Sequence, residues 1–495
     1  MKTIKYKFLP FLLIALTFAS CKKSFLETNP TDKADDATVF KTTDNAMAAL
    51  NGIHRMLYKQ FDDGNQDQGG ESGMKINLDM LGEDVVMTTA GNGWYNNMYK
   101  WIDHRNASST SDKYAYKFYY TIIANANQII AKVNSVEGEQ IAKDAIMAEA
   151  LTYRAWAHFL LVQIFSKRYD AAGNNTQPGV PVVLATDVTA RPRGTVEGVY
   201  TQINTDIDAA IVLFAKTSVR ANKSHFDLRV AKGIKARIAL TQGLWTVAAA
   251  NAVEARAASS LMTNDEYKSG FNNSANQEWI WGSKQVEDQS SDFSSFFAYM
   301  SSNFNSSNVR TNPKAINKLL YDKIAATDVR KTLWDPTGAD KTFLVPPGGA
   351  RKPYMNRKFT VAGVTSIGDV AHMRTAEMYL IEAEALARTG QNSLAQAALY
   401  KLAVNRDPNY VLSTNTGDAL INEILIQRRV ELWGEGFRFT DLKRLNSALD
   451  RSNANHTNEL ATTLGEVAGD PKWQWVIPQS EINANPAIGP GGQNP

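Results

Sequence analysis

The alternation of apolar and polar positions along this chain is mostly helical. Ala46, Leu50, Ile53 and Leu57 recur at three- and four-residue steps and predict a helix over residues 43–61, capped by Thr43 or Asp44. Helical blocks follow at 113–134, at 142–165, where Leu151, Ala155, Phe159 and Val162 repeat correctly, and at 196–214. Residues 178–192 (PGVPVVLATDVTARP) read as an extended linker, because proline fixes φ and restrains the residue before it. The blocks 230–257 and 370–402 share a pattern. Ala236, Gly243 and Ala248 are separated by seven and five residues, and so are Ala383, Gly390 and Ala395. These match the small positions of a tetratricopeptide-type helix hairpin: one where two helices cross closely, one at the turn, one on the return helix. Counting the other blocks as degenerate repeats gives about four hairpins, enough to bury a continuous core.

Two stretches break the period. Residues 88–101 (TTAGNGWYNNMYKW) set aromatic rings among Gly and Asn, so those rings are not expected to share one buried face. Residues 262–368 hold a short strand at Glu278-Trp279-Ile280-Trp281, then a Ser-, Asn- and Phe-rich run, then Pro- and Gly-broken sequence at 334–353. That is too long for a simple connection, and long ordered excursions from a rigid scaffold are where binding surfaces usually sit. Near the C-terminus an amphipathic helix over 418–433 is broken by Gly434-Glu435-Gly436, after which Thr440 or Asp441 caps a short helix to Leu445. Arg428 and Glu431, three apart, are expected to pair. With Arg429, Glu435, Arg438, Asp441 and Arg444 they read as ion pairs that fix a helical turn, since guanidinium groups cannot act as bases at neutral pH. Trp245, Trp279, Trp281 and Trp433 are assigned to packing.

At the N-terminus Lys2, Lys5 and Lys7 precede an apolar run, Phe8 to Phe18, that is too short to cross a bilayer, and then Ala19, Ser20 and Cys21. That is the order of a secretory signal. Cys21 is the only cysteine, so it cannot form an internal disulfide. Directly after Phe-Ala-Ser it resembles the lipidated first residue of a bacterial lipoprotein, held by a multi-chain anchor; the alternative is a cleaved signal with an incidental cysteine. Removing residues 1–20 takes away three lysines and leaves 50 basic and 50 acidic residues, a balanced body without the clustered positive charge that nucleic acid or anionic lipid would need. Ten tryptophans and eighteen tyrosines beside many amides and hydroxyls suit sugar binding, in which pyranose faces stack on rings, and equally suit an ordinary core.

Enzyme signatures are missing. There is no HExxH, and His54, His104, His158, His225, His372 and His456 show no ligand spacing, so no metal site is expected. There is no phosphate loop, Gly91-Asn92-Gly93 lacks the third glycine of a dinucleotide turn, and no serine nucleophile elbow occurs. A hydrolytic carboxylate pair is a matter of three-dimensional geometry, which leaves a glycoside hydrolase as an enzyme-class alternative.

CKKSFLETNP at 21–30, AEALTYRAWAHFLLVQIF at 148–165, RTAEMYLIEAEALARTG at 374–390, IQRRVELWGEGFRFTDLKRL at 426–445 and VIPQSEINANP at 476–486 follow one another in an order and spacing that resembles the SusD/RagB family of outer-membrane nutrient-binding lipoproteins. The resemblance implies a mainly α fold: a tetratricopeptide-like helical repeat scaffold with a large irregular, loop-rich substrate lobe and few short strands. It divides the chain into a signal peptide (1–20), a lipidated Cys and tether (21–42), an N-terminal helical part with the aromatic loop (43–261), the irregular substrate lobe (262–368) and a C-terminal helical repeat with its tail motif (369–495). It implies no catalysis and no cofactor. The expected function is capture of an oligosaccharide and delivery to a SusC-type TonB-dependent barrel, from an outer-membrane, lipid-anchored position at the cell surface. A peptide ligand and a pure assembly scaffold are the other readings. The family's ligand surface maps onto residues 94–101 and 293–310, giving Trp94, Tyr95 and Trp101 as stacking platforms, Asn96 and Asn97 as hydroxyl partners, and Tyr299 with Arg310 from the second segment.

Overall fold

The computed structural model describes residues 40–217, 220–287 and 291–495; the expected signal peptide, Cys21 and nearly all of the tether lie outside them. The fold is mainly α, with 49 % helix and 6 % strand. No helix among the described residues is long and apolar enough to cross a membrane.

Among the described residues, eleven helices of seven residues or more carry the body. The first, α1 (Thr43–Met56), is capped by the Thr42 side chain, one residue before the expected cap, and buries Ala46, Leu50 and Ile53. It packs on α3 (Thr110–Lys132) and α4 (Gln140–Phe165). The array continues through α5 (Val196–Phe214), α6 (Leu228–Gln242), α7 (Trp245–Arg256), α8 (Thr375–Arg388), α9 (Asn392–Arg406) and α10 (Gly417–Glu431), each resting on the one before or on α8. A short α11 (Arg438–Arg444) follows the glycine break.

The two hairpins that share the small-residue pattern are α6–α7 and α8–α9. Gly243 and Gly390 both have φ +74° in their turns, a conformation that costs an L side chain about 1–2 kcal/mol. Ala236, Ala248, Ala383 and Ala395 are all fully buried, as close helix crossings require.

A helix missing from the sequence reading, α2 (Gly70–Met80), lies in the middle of the molecule with all eleven residues buried. Such a helix has no amphipathic period to betray it. It carries Glu71, Lys75 and Asp79 inside: Glu71 accepts from the Tyr119 hydroxyl at 2.9 Å, Lys75 donates to the Ala371 carbonyl, and Asp79 accepts from the Gly436 N–H at 2.8 Å. Burial pushes the Asp79 carboxyl up to about 8. An Asp raised in the folded state favours folding below its unfolded pKa and loses that contribution as pH rises toward the folded value. Asp79→Asn should therefore match the wild type near pH 3.5 and become the more stable protein as pH climbs to 8, measured by urea unfolding across that range; a constant difference between the two would refute it.

Short strands organise the irregular part. Strands β1 (Val85–Val86), β3 (Ala315–Ile316), β5 (Met355–Asn356) and β4 (Trp334–Asp335) form an antiparallel sheet in the order β1-β3-β5-β4. That sheet stitches the segment after α2 to residues beyond 262. Strand β2 (Trp279–Ser283) pairs antiparallel with β6 (Val370–Arg374), burying Trp279 and Trp281 as expected.

Beneath both parts runs a buried ion network. Arg374 reaches Glu278 at 2.5 Å, Glu431 at 2.9 Å and Glu435 at 2.6 Å; Arg406 reaches Glu278 at 2.7 Å and Glu431 at 3.1 Å. Arg330 bridges Asp328 and Glu431, and Lys358 meets Glu435 at 2.7 Å. Although burial opposes ionisation, Arg374 and Lys358 hold the Glu435 carboxyl down to about 2. The expected Arg428–Glu431 pair does not form: Arg428 turns to Asp441 at 2.7 Å, because Glu431 is already enclosed by three other guanidiniums.

Candidate functional site

The two irregular segments expected to share a surface do come together. After β1, the Thr88 hydroxyl donates to the Pro313 carbonyl at 2.9 Å and the Thr89 hydroxyl to the Thr311 carbonyl at 2.8 Å, while the Asn312 side chain accepts from the Thr88 N–H at 3.0 Å. At the loop tip, with Gly91 and Gly93 at φ +54° and +96°, Asn92 donates to the Ser307 hydroxyl at 3.4 Å. One helical turn at Asn96–Tyr99 follows, and Ser307 begins another at Ser307–Thr311.

Where each ring sits is decided by that geometry. Tyr95 and Trp101, on either side of the short helix, both adopt left-handed backbone, φ 64° and 63°, which non-glycine residues hold only when their surroundings fix them. The Tyr95 hydroxyl donates to the Asp67 carbonyl at 3.0 Å, and the Trp101 indole N–H to the Leu81 carbonyl at 3.1 Å. Trp101 also stands edge-on to Trp473 at 4.9 Å and to His104 at 5.1 Å. Tyr95 meets Tyr299 edge to face at 4.9 Å, so the expected platform residues from the two segments lock against each other under the surface. Tyr95, Trp101 and Tyr299 are 4 %, 5 % and 2 % exposed. This corrects their expected role: they form the floor that holds the loops together and present no face to a ligand.

The remaining candidates are accessible. Trp94 is half-buried, its ring packed on the core from outside. Asn97 is exposed; Asn96 is half-buried and donates to the Ala90 carbonyl at 2.9 Å. Arg310 is half-buried, its guanidinium on the Asn305 amide at 2.7 Å and its carbonyl accepting from the Ala350 N–H at 2.7 Å. Asn92, Asn305 and Ser307, exposed polar groups not singled out from the sequence, complete the face. The Gly-Asn and Ser-Asn composition of the two segments was their only signal. The result is a polar surface with one half-buried indole in it. Larger concavities lie elsewhere: a 470 Å³ cleft lined by Lys167, Asn174, Lys443 and Trp473, and a 490 Å³ cleft between α3, residues 181–191 and the C-terminal tail.

Comparison with known proteins bears on the whole chain. A family profile described as "Starch-binding associating with outer membrane", SusD-like, matches residues 33–240, and one described as the SusD family matches residues 253–495. A SusD-like protein of Bacteroides ovatus is 26 % identical over 252 residues, which is 49 % of this chain and 40 % of that protein; the match thus spans well under half of the relative's length. The structure of a SusD-like carbohydrate binding protein from Bacteroides vulgatus superposes with a TM-score of 0.79 at 24 % identity, covering 90 % of this chain and 97 % of the other. A laminarin binding SusD-like protein superposes with a TM-score of 0.69 at 20 % identity, covering 92 % of this chain and 100 % of the other. Two profiles of one family, following each other over nearly the whole sequence, together with the shared fold, make this chain a member of the SusD/RagB family.

Proposed function

We propose that this chain is a glycan receptor that captures an oligosaccharide on the face formed by Trp94, Asn96, Asn97 and Arg310 and hands it to a SusC-type TonB-dependent barrel. The observation that carries the reading is the meeting of two loop segments that between them carry one accessible indole, accessible amides and a half-buried guanidinium. A pyranose ring presents an apolar face and a rim of hydroxyls, and this surface offers a partner for each. The carbohydrate and laminarin binding in the names of similar structures supports the same ligand class. The test is calorimetry of the protein against a panel of β- and α-glucans and peptides, with Trp94→Ala alongside. Glycan heat lost in the variant supports the reading; peptide heat, or glycan heat unchanged in the variant, overturns it.

The anchor belongs to the same proposal. Cys21 would carry the lipid that holds the receptor at the outer membrane, on the cell surface. Cys21→Ser should abolish incorporation of labelled palmitate and release the protein from the membrane fraction; labelling that persists in the variant would sink the idea.

A further inference from the structure

The geometry points to a divalent transition-metal site, of the kind that takes Zn²⁺, built by His54, Glu149 and His225. These residues are 95 and 76 positions apart in sequence, and the fold brings them into one buried triangle. His54 comes from the last turn of α1, Glu149 from α4, and His225 from the loop that enters α6. The His54 Nε2 lies 3.1 Å from the His225 Nδ1 and 3.3 Å from the Glu149 Oε2, and the His225 Nδ1 lies 3.1 Å from the Glu149 Oε1. Zinc bonds of about 2.0–2.1 Å in a tetrahedron place ligand atoms roughly 3.4 Å apart, close to the separation of the two nitrogens and to the distance of each from its own carboxylate oxygen, Oε2 for His54 and Oε1 for His225. Two imidazoles and a carboxylate are also the donor set such an ion prefers.

Each way of hydrogen-bonding the triangle leaves one repulsive contact: when the His225 Nδ1–H is shared between His54 Nε2 and Glu149 Oε1, the bare His54 nitrogen faces Glu149 Oε2 at 3.3 Å. With Glu149 ionised, if both rings donate to the carboxylate, their two N–H groups face each other across 3.1 Å. If His54 donates to His225 instead, the bare His225 nitrogen faces a carboxylate oxygen at 3.1 Å. A cation at the centre satisfies all three lone pairs at once.

The surroundings fit a metal site. The Tyr153 hydroxyl sits 2.5 Å from the His54 Nδ1, which directs that ring's Nε2 inward, and the Phe226 N–H donates to the Glu149 Oε2 at 2.9 Å. Such outer partners orient metal ligands. Glu149 and His225 also line an 820 Å³ cleft, from which a water could supply a fourth ligand. The nearby cation Arg220 is turned away: it pairs with Asp227 at 3.3 Å and donates to the His225 carbonyl at 3.0 Å. An ion here would tie α1, the first helix after the tether, to the scaffold, a structural role independent of the glycan face.

The purified full chain, stripped with chelator and dialysed against micromolar Zn²⁺, should hold one equivalent of zinc by elemental analysis and melt at a higher temperature than the stripped protein. Co²⁺ in its place should give the intense visible bands of a four-coordinate site. His225→Ala and Glu149→Gln should each lower zinc affinity at least tenfold. Less than a fifth of an equivalent in the wild type, weak six-coordinate cobalt bands, or variants that keep their zinc would each overturn the proposal. The cobalt spectrum of the wild type decides the matter alone if the variants do not fold.

Discussion

Glu431→Gln should cost about 3–5 kcal/mol of stability at pH 7, as read by urea unfolding, the range expected when one partner of a buried ion cluster is neutralised. Glu431 is fully buried and contacts Arg374 at 2.9 Å, Arg406 at 3.1 Å and Arg330 at 3.3 Å. The cluster is balanced: Arg330, Lys358, Arg374 and Arg406 face Glu278, Asp328, Glu431 and Glu435. Glutamine keeps the volume and two hydrogen-bonding groups and removes the charge, so the loss reports a buried cation left uncompensated. The same carboxylates set an acid limit. Glu431 and Glu435 are held below the usual range by their guanidinium and ammonium neighbours, despite a burial effect in the opposite direction. A depressed carboxylate contributes stability above its unfolded pKa and loses it as pH falls toward the folded one, here from about 4.5 down to about 2 for Glu435. A loss below about 1 kcal/mol in Glu431→Gln would mean that water screens the cluster.

Trp94→Ala should weaken glycan binding at least tenfold, about 1.4 kcal/mol, while leaving the melting temperature nearly unchanged. Trp101→Ala should do the reverse. Its ring is enclosed by Trp473, His104 and Phe439, so truncation opens a cavity and costs about 3–5 kcal/mol of stability. The two variants separate ligand contact from packing within one loop, and their comparison needs no assumption about which glycan is used. Equal effects of both on binding, after correction for the folded fraction, would remove Trp94 from the site.

What was legible in the sequence follows the reach of each physical signal. The paired hairpins could be read because helix crossings and left-handed turns demand Ala and Gly at fixed intervals, and Ala236, Gly243 and Ala248 meet that demand. Helix α2 could not, since burial on every side erases the period. Composition marked the two irregular segments but could not say which rings turn inward. That depends on the left-handed backbone at Tyr95 and Trp101 and on acceptors at Asp67 and Leu81, outside the loop. The Arg428–Glu431 pairing failed for a similar reason: helical spacing permits it, but Asp441 takes Arg428 first. His54, Glu149 and His225 were invisible as a group because no local spacing links them.

The ion network also has a direction along the chain. Arg330, Lys358, Arg374 and Arg406 all precede Glu431 and Glu435, so a polypeptide growing from its N-terminus exposes the four cations before the two carboxylates that complete their neutralisation. Until then Arg374 and Arg406 have only Glu278 to share, and burying them is unfavourable. The interior can therefore close only once Glu435 has been added, about seven-eighths of the way along this sequence, which keeps the earlier part of the nascent chain open until then.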